Sequence, residues 1–253
     1  MPFLHRRDTF LQQIINGLVL GSIYALVALG YTMVYGILGL INFAHGEVVM
    51  IGALTALTVI KLLADSGLPG TVVVLIGLLA AVPVCMALGF AIERIAYRPL
   101  RNAPRLAPLI TAIGVSIVLQ QLAMIFWGRN YHAFPPILPT SSREIGGAHI
   151  TDVQIVIILL AVAIMAGLML LVNRTRLGRA MRATAENPQI AGLMGVNINV
   201  IISATFLIGS ALAAVAGTMV SANYAIAHYH MGFILGLKAF TAAVLGGIGN
   251  LPG

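Results

Sequence analysis

Apolar runs long enough to cross a bilayer recur along this chain, near residues 11–29, 47–64, 71–92, 106–128, 153–172 and 200–221. A helix needs about 20 such residues to span the hydrocarbon core. In lipid, backbone polar groups must be satisfied internally, so a run of this length reads as helix. Composition removes the soluble alternative: 60% of the 253 residues are hydrophobic and 8% are charged, where a soluble domain carries roughly a quarter charged residues. The fold class that follows is all-α, a polytopic transmembrane helical bundle forming one domain over 1–253. Two shorter apolar segments, 30–44 and the run from Ile234 onward, read as short or broken helices.

The net charge is +7, and its placement says more than its sum. Arg94, Arg98, Arg101 and Arg105 form one cluster; Arg174, Arg176, Arg179 and Arg182 form another; Arg6 and Arg7 open the chain. Arginines beside apolar spans mark cytoplasmic loops. With 93–105 inside, span 71–92 runs inward and 106–128 runs outward. The loop 129–152 is then outside, and span 153–172 returns the second cluster to the side of the first. Arg6 and Arg7 place the N-terminus inside as well. Span 11–29 then ends outside, so 30–46 must bring the chain back in as a short or broken helix. No basic patch alternates with stacking aromatics, which argues against a nucleic-acid partner.

Cys85 is the only cysteine, so disulfides and cysteine-based metal sites are excluded within one chain. The first run is no signal peptide: it contains Gln12, Gln13 and Asn16, lacks a small-x-small cleavage site and is followed by further spans. Gly17 and Gly21 form a small-xxx-small pair suited to close helix contact. The abrupt stop inside "TAAVLGGIGNLPG" leads us to expect further helices beyond Gly253.

In "GLINFAHGEVVMIGA", Asn42, His45 and Glu47 interrupt two apolar runs. Polar groups at membrane depth are costly and are functional candidates by default. Asn42 and His45 share a helix face, whereas His45 and Glu47 do not; the three converge only if the helix breaks, for which Gly46 is suited. Two readings stand side by side. They satisfy loose backbone at a break, or they touch a solute. A proton relay between His45 and Glu47 is a third, and it lacks further acidic partners.

The second inner loop, 173–199, holds a short helix. Asn187 is a fitting N-cap, Pro188 takes the first helical position and Gly195 can end the helix left-handed. Ile190, Leu193 and Met194 fall on one face. A helix of two turns needs something to pack on: its own protein, the lipid interface or a groove on a cytoplasmic partner. His228 and His230 lack a third metal ligand and read as an outer-interface loop, with Tyr224 and Tyr229 as belt residues. Lys238 either snorkels outward or faces an aqueous path. "GGIGN" lies in an apolar run without lysine and is no phosphate loop. No nucleophile with a placed base is present.

Four blocks carry a resemblance: "NGLVLGSIYALVALGYTMVYGILGLINFAHGE", "ERIAYRPLR", "RLGRAMRATAENPQIAGLMGVN" and "MGFILGLKAFTAAVLGGIGNLPG". The chain resembles the H-type permease subunit of bacterial high-affinity branched-chain amino-acid ABC importers. The resemblance implies a non-catalytic multi-pass subunit of the bacterial inner membrane, without a cofactor. Its implied partners are a second homologous permease, two cytoplasmic ATPase subunits and a periplasmic amino-acid-binding protein. It assigns Glu186, Asn187, Pro188, Ile190, Ala191, Leu193, Met194 and Gly195 to ATPase coupling. Related permeases carry urea or amides, so the solute is the looser part of the reading. From irregular backbone beside polar groups at depth, we expect the translocation pathway at Asn42, His45, Gly46 and Glu47 together with Thr241, Gly246, Gly247 and Gly249.

Overall fold

A computed structural model describes residues 2–101, 103–104, 106–137, 141–145 and 147–249. Nine α-helices make up most of these: α1 Pro2–Leu38, α2 His45–Leu63, α3 Gly70–Ala91, α4 Leu106–Trp127, α5 Asp152–Arg174, α6 Arg176–Glu186, α7 Pro188–Leu193, α8 Ile198–Tyr224 and α9 Met231–Leu245. Helix α3 widens into a π turn, Ile92–Tyr97, and then tightens into a 3₁₀ turn, Arg98–Leu100. Six helical segments are long and apolar enough to cross a membrane: Thr9–Leu38, His45–Leu63, Gly70–Leu100, Leu106–Trp127, Asp152–Arg174 and Ile198–Tyr224. Each overlaps one of the six runs read from the sequence, the first and third extending well past the expected ends to Leu38 and Leu100.

Helices α2 and α8 form the centre, where Val49, Met50, Ala53, Leu54, Ala213 and Ala214 are buried. Their crossing is close enough that a Cβ on Gly52 would stand 2.8 Å from the Ala214 Cα. Helices α1 and α3 pack around this pair, whereas α4 and α5 leave most of their apolar surface exposed. Gly17 and Gly21 are exposed with open space beside them. The close contacts expected of that pair are made instead at Gly52 and Gly217.

Both arginine clusters lie at one end of the bundle. Arg101 Nη1 donates to Asn199 Oδ1 at 2.6 Å, which ties the first cluster to the start of α8 just beyond the second. Arg105 lies outside the described residues. The other end carries the 129–152 segment, which is not all loop. Here β1 (His132–Ala133) pairs antiparallel with β4 (Ile226–Ala227), and β2 (Ser142–Ile145) pairs with β3 (Ala148–Thr151). Arg143 and Asp152 form an ion pair at 2.8 Å. Thr151 and Gln154 close a capping box at the start of α5.

The N-terminus departs from expectation. Helix α1 is unbroken to Leu38, so 30–38 extends the first crossing rather than making a second one. Nothing in "GYTMVYGIL" stops a helix, and Gly30 is occupied by close contact with the His45 ring. With one crossing fewer, the beginning of α1 stands at the end opposite the two clusters. Gln12 confirms this placement: Nε2 donates to the His149 carbonyl at 3.0 Å and Oε1 accepts from the His149 N–H at 2.7 Å. The segment bearing Arg6 and Arg7 therefore does not share a side with the other arginines. The return expected over 30–46 is a six-residue link, 39–44, whose turn begins at Gly39 with φ +61°.

Candidate functional site

At the arginine end, α6 and α7 form a hook. Asn187 has extended backbone and its Oδ1 accepts from the Ile190 N–H at 3.0 Å, while Pro188 takes the first position, where a missing N–H leaves nothing unpaired. Gly195 follows with φ +87°, and the Val196 N–H reaches the Ala191 carbonyl at 3.0 Å, a left-handed helix ending. The cap, the proline and the terminating glycine are thus as the sequence indicated. Ala191 is buried and seats the hook. Ile190, Leu193 and Met194 point away from the chain, with 57%, 87% and 81% of their surface exposed. Glu186 closes α6 and is also exposed. Exposed leucine and methionine beside each other on a capped turn offer apolar area to something outside this chain.

The three polar residues of the first link are all buried, and they face three different elements. Asn42 Oδ1 accepts from the Ala44 N–H at 3.1 Å and from the Tyr97 hydroxyl at 3.2 Å; the same hydroxyl also reaches the Ile41 carbonyl. This fixes the irregular backbone to the π turn after α3. The His45 ring lies on Gly30 and meets Tyr31 edge-on, with centroids 4.9 Å apart, so it holds α2 to α1. Glu47 is 0% exposed and turns toward α4, where Oε1 accepts from Ser116 Oγ at 3.0 Å and Gln120 Nε2 at 2.7 Å. Gly46 does not break the helix; it lies in the first turn of α2, against α9. A Cβ on Gly232 would stand 2.5 Å from the Gly46 carbonyl oxygen, and one on Gly236 would stand 2.9 Å from the Gly46 Cα.

Sequence reasoning passed over Ser116 and Gln120, a polar pair four apart on one face of an apolar helix, although that spacing was visible. It also passed over Tyr97 and Ser203, whose partners only the fold reveals. Ser203 donates to Glu93 Oε2 at 2.8 Å, and Arg101 pairs with Glu93 Oε1.

The tract Thr241 to Gly249 takes in the end of α9 and the turns that follow it. Thr241 Oγ1 bonds back to the Lys238 carbonyl. Gly246 caps α9, and Gly247 and Gly249 turn with φ +84° and +97°. Gly249 comes beside Gly36 near the end of α1. Three cavities follow the open side of α1. One of about 610 Å³ opens at the arginine end between Thr32, Gly36, Arg182 and Gly249. One of about 410 Å³ continues from Thr32 to Tyr24 along Ala242 and Ala243. One of about 250 Å³ runs from Tyr24 to Tyr131 and His228 at the loop end. Neighbouring cavities share Thr32 or Tyr24, so they follow one another along α1 as a furrow whose far wall is α5 and α6 at the arginine end, α5 and α9 in the middle, and α8 and α9 at the loop end. His228 is held there, with Nε2 3.0 Å from the Arg129 carbonyl and its ring stacked on Tyr131.

Residues 13–253 match the model of the branched-chain amino acid transport system permease component family. The chain is 49% identical over 249 residues to the high-affinity branched-chain amino acid transport system permease protein BraD of Pseudomonas aeruginosa, covering 96% of this chain and 81% of that protein. It is 46% identical over 249 residues to the corresponding protein LivH of Escherichia coli, with the same shares covered. A probable branched-chain amino acid transport permease protein LivH of Methanocaldococcus jannaschii is 26% identical over 260 residues, covering 98% of this chain and 78% of that protein. No solved structure matches. On this evidence the chain belongs to the family of branched-chain amino acid transport system permease components.

Proposed function

We propose that this chain is a non-catalytic permease subunit of an ATP-driven importer that moves branched-chain amino acids inward across the bacterial inner membrane. The observation that carries the reading is the outward apolar tip of α7, Ile190, Leu193 and Met194, held rigid by the Asn187 cap at the end rich in arginine. That end is cytoplasmic by the positive-inside rule. A short capped helix with its apolar face presented is suited to insert into a groove on a cytoplasmic ATPase. The relatives' names supply the solute class, and the same machine implies a second homologous permease, two ATPase subunits and a periplasmic amino-acid-binding protein. In the pathway we place Thr241, Gly246, Gly247 and Gly249, of which Gly249 lines the cavity at the arginine end. Asn42, His45, Gly46 and Glu47 line none of the three cavities; we give them the part of holding the 39–44 link and the start of α2 against the π turn, α1, α9 and α4.

A proton-coupled carrier would need His45 and Glu47 to exchange a proton, yet His45 faces α1 and Glu47 faces α4. The test is uptake by the complete importer in proteoliposomes. Leu193→Asp and Met194→Asp should lower ATP-driven leucine uptake by roughly tenfold or more, the scale of losing an interface hot spot, with unchanged expression and folding. ATP-driven uptake at the normal rate in both variants would refute the coupling role.

A further inference from the structure

Lys238 is the one charged residue in α9. It is exposed, and among the described residues it forms no ion pair. It lines the 250 Å³ cavity at the loop end together with Tyr24, Tyr131, Tyr224, His228 and Ile234. Tyr24 stands midway along the Thr9–Leu38 span, so this cavity descends from the outer loops to about half the depth of the bundle. A cation at that depth is costly in lipid and is found facing a protein interior or water. Its flexible four-carbon stem allows the ammonium to reach toward water. The surroundings are selective in kind: one unpaired positive charge, three phenols and apolar walls from Val220, Ile234 and Leu235. A small carboxylate-bearing solute with an apolar side chain fits each part. Its carboxylate would meet the ammonium in a charge-assisted bond, its own ammonium would meet phenol oxygens and ring faces, and its side chain would lie on the aliphatic wall.

We propose that Lys238 is the carboxylate-binding residue of an amino-acid subsite at the outer mouth of the furrow. The proposal rests on the transport reading given above. It also assigns a direction of travel: past Tyr24, along Ala242 and Ala243, and out beside Gly249.

The experiment uses the complete importer in phosphatidylcholine nanodiscs, where no anionic headgroup competes for the lysine. Cys85, buried and single, is replaced by alanine, and Ile234→Cys or Tyr224→Cys reports on the cavity. An anionic thiosulfonate reagent should label either cysteine about tenfold faster than a cationic one, as expected for a focused positive charge. Lys238→Met should abolish that preference. Leucine, supplied through the binding protein or directly at millimolar concentration, should protect against labelling, and leucinamide should not. In uptake assays on the same importer in phosphatidylcholine proteoliposomes, Lys238→Met should lose about tenfold, the value of a charged hydrogen bond, and Lys238→Arg should recover most of it. If the unmodified importer takes up no branched-chain amino acid, the transport reading itself has failed. If it transports normally but neither cysteine reacts in any nucleotide state, the face is sealed by protein or lipid and the subsite is wrong. Equal protection by leucinamide, or full uptake by Lys238→Met, overturns it as well.

Discussion

Glu47 and Glu93 are the carboxylates buried in the bundle among the described residues, and each meets the cost of burial differently. Glu93 is matched by a cation, Arg101, and by the Ser203 hydroxyl. Glu47 has only neutral donors, Ser116 and Gln120, both on one of its oxygens; the other faces Gly232. A buried polar group left without its donors costs free energy of its own beyond the lost bond. Gln120→Leu should therefore destabilise the protein by about 1–3 kcal/mol, read as a lowered thermal midpoint in detergent. An unchanged midpoint would mean that the clasp contributes nothing to α4 attachment. Glutamine to leucine keeps the side-chain volume similar, so the loss reports the polar contact rather than a cavity.

At the scale of elements, α7 and α9 are the unusual helices. Six residues cannot hold a helix by propagation alone, so α7 depends on its ends. Asn187→Ala removes the cap and should cost about 1 kcal/mol of local stability. Faster amide exchange should appear over Pro188–Leu193 with little change elsewhere, together with weaker retention of the ATPase subunits on purification. Exchange unchanged across α7 would assign its rigidity to packing at Ala191 instead. Helix α9 has 15 residues and is about 22 Å long at 1.5 Å per residue, less than the roughly 30 Å of hydrocarbon. It holds its depth through backbone contact with α2, which only glycine at 46, 232 and 236 allows.

For the whole molecule, sidedness is the sharpest prediction. Cysteines at Thr9 and at Arg179, each in a Cys85→Ala background, should react from opposite faces of the membrane; labelling of both from one face would refute the single crossing of α1. The six long apolar runs were legible in the sequence because a run of helix length has no other stable form in lipid, but the end of the first, at Leu38 rather than near residue 29, was not. The hook was legible for a different reason: its cap, proline and glycine act within a few residues of one another. The side of the N-terminus was not, since two arginines were weighed as a charge signal while the decision lay in whether residues 30–38 stay helical. The partners of Glu47 were not legible either, because they come from a helix far along the chain. That separation bears on how the protein is made. Glu47 precedes Ser116 by 69 positions, which at about 5–20 residues per second is some 3–14 s of synthesis. Throughout that interval a nascent chain presents an acid to the membrane with no donor yet translated, so α2 must linger at the insertion machinery or wait in a polar crevice until α4 arrives to release it.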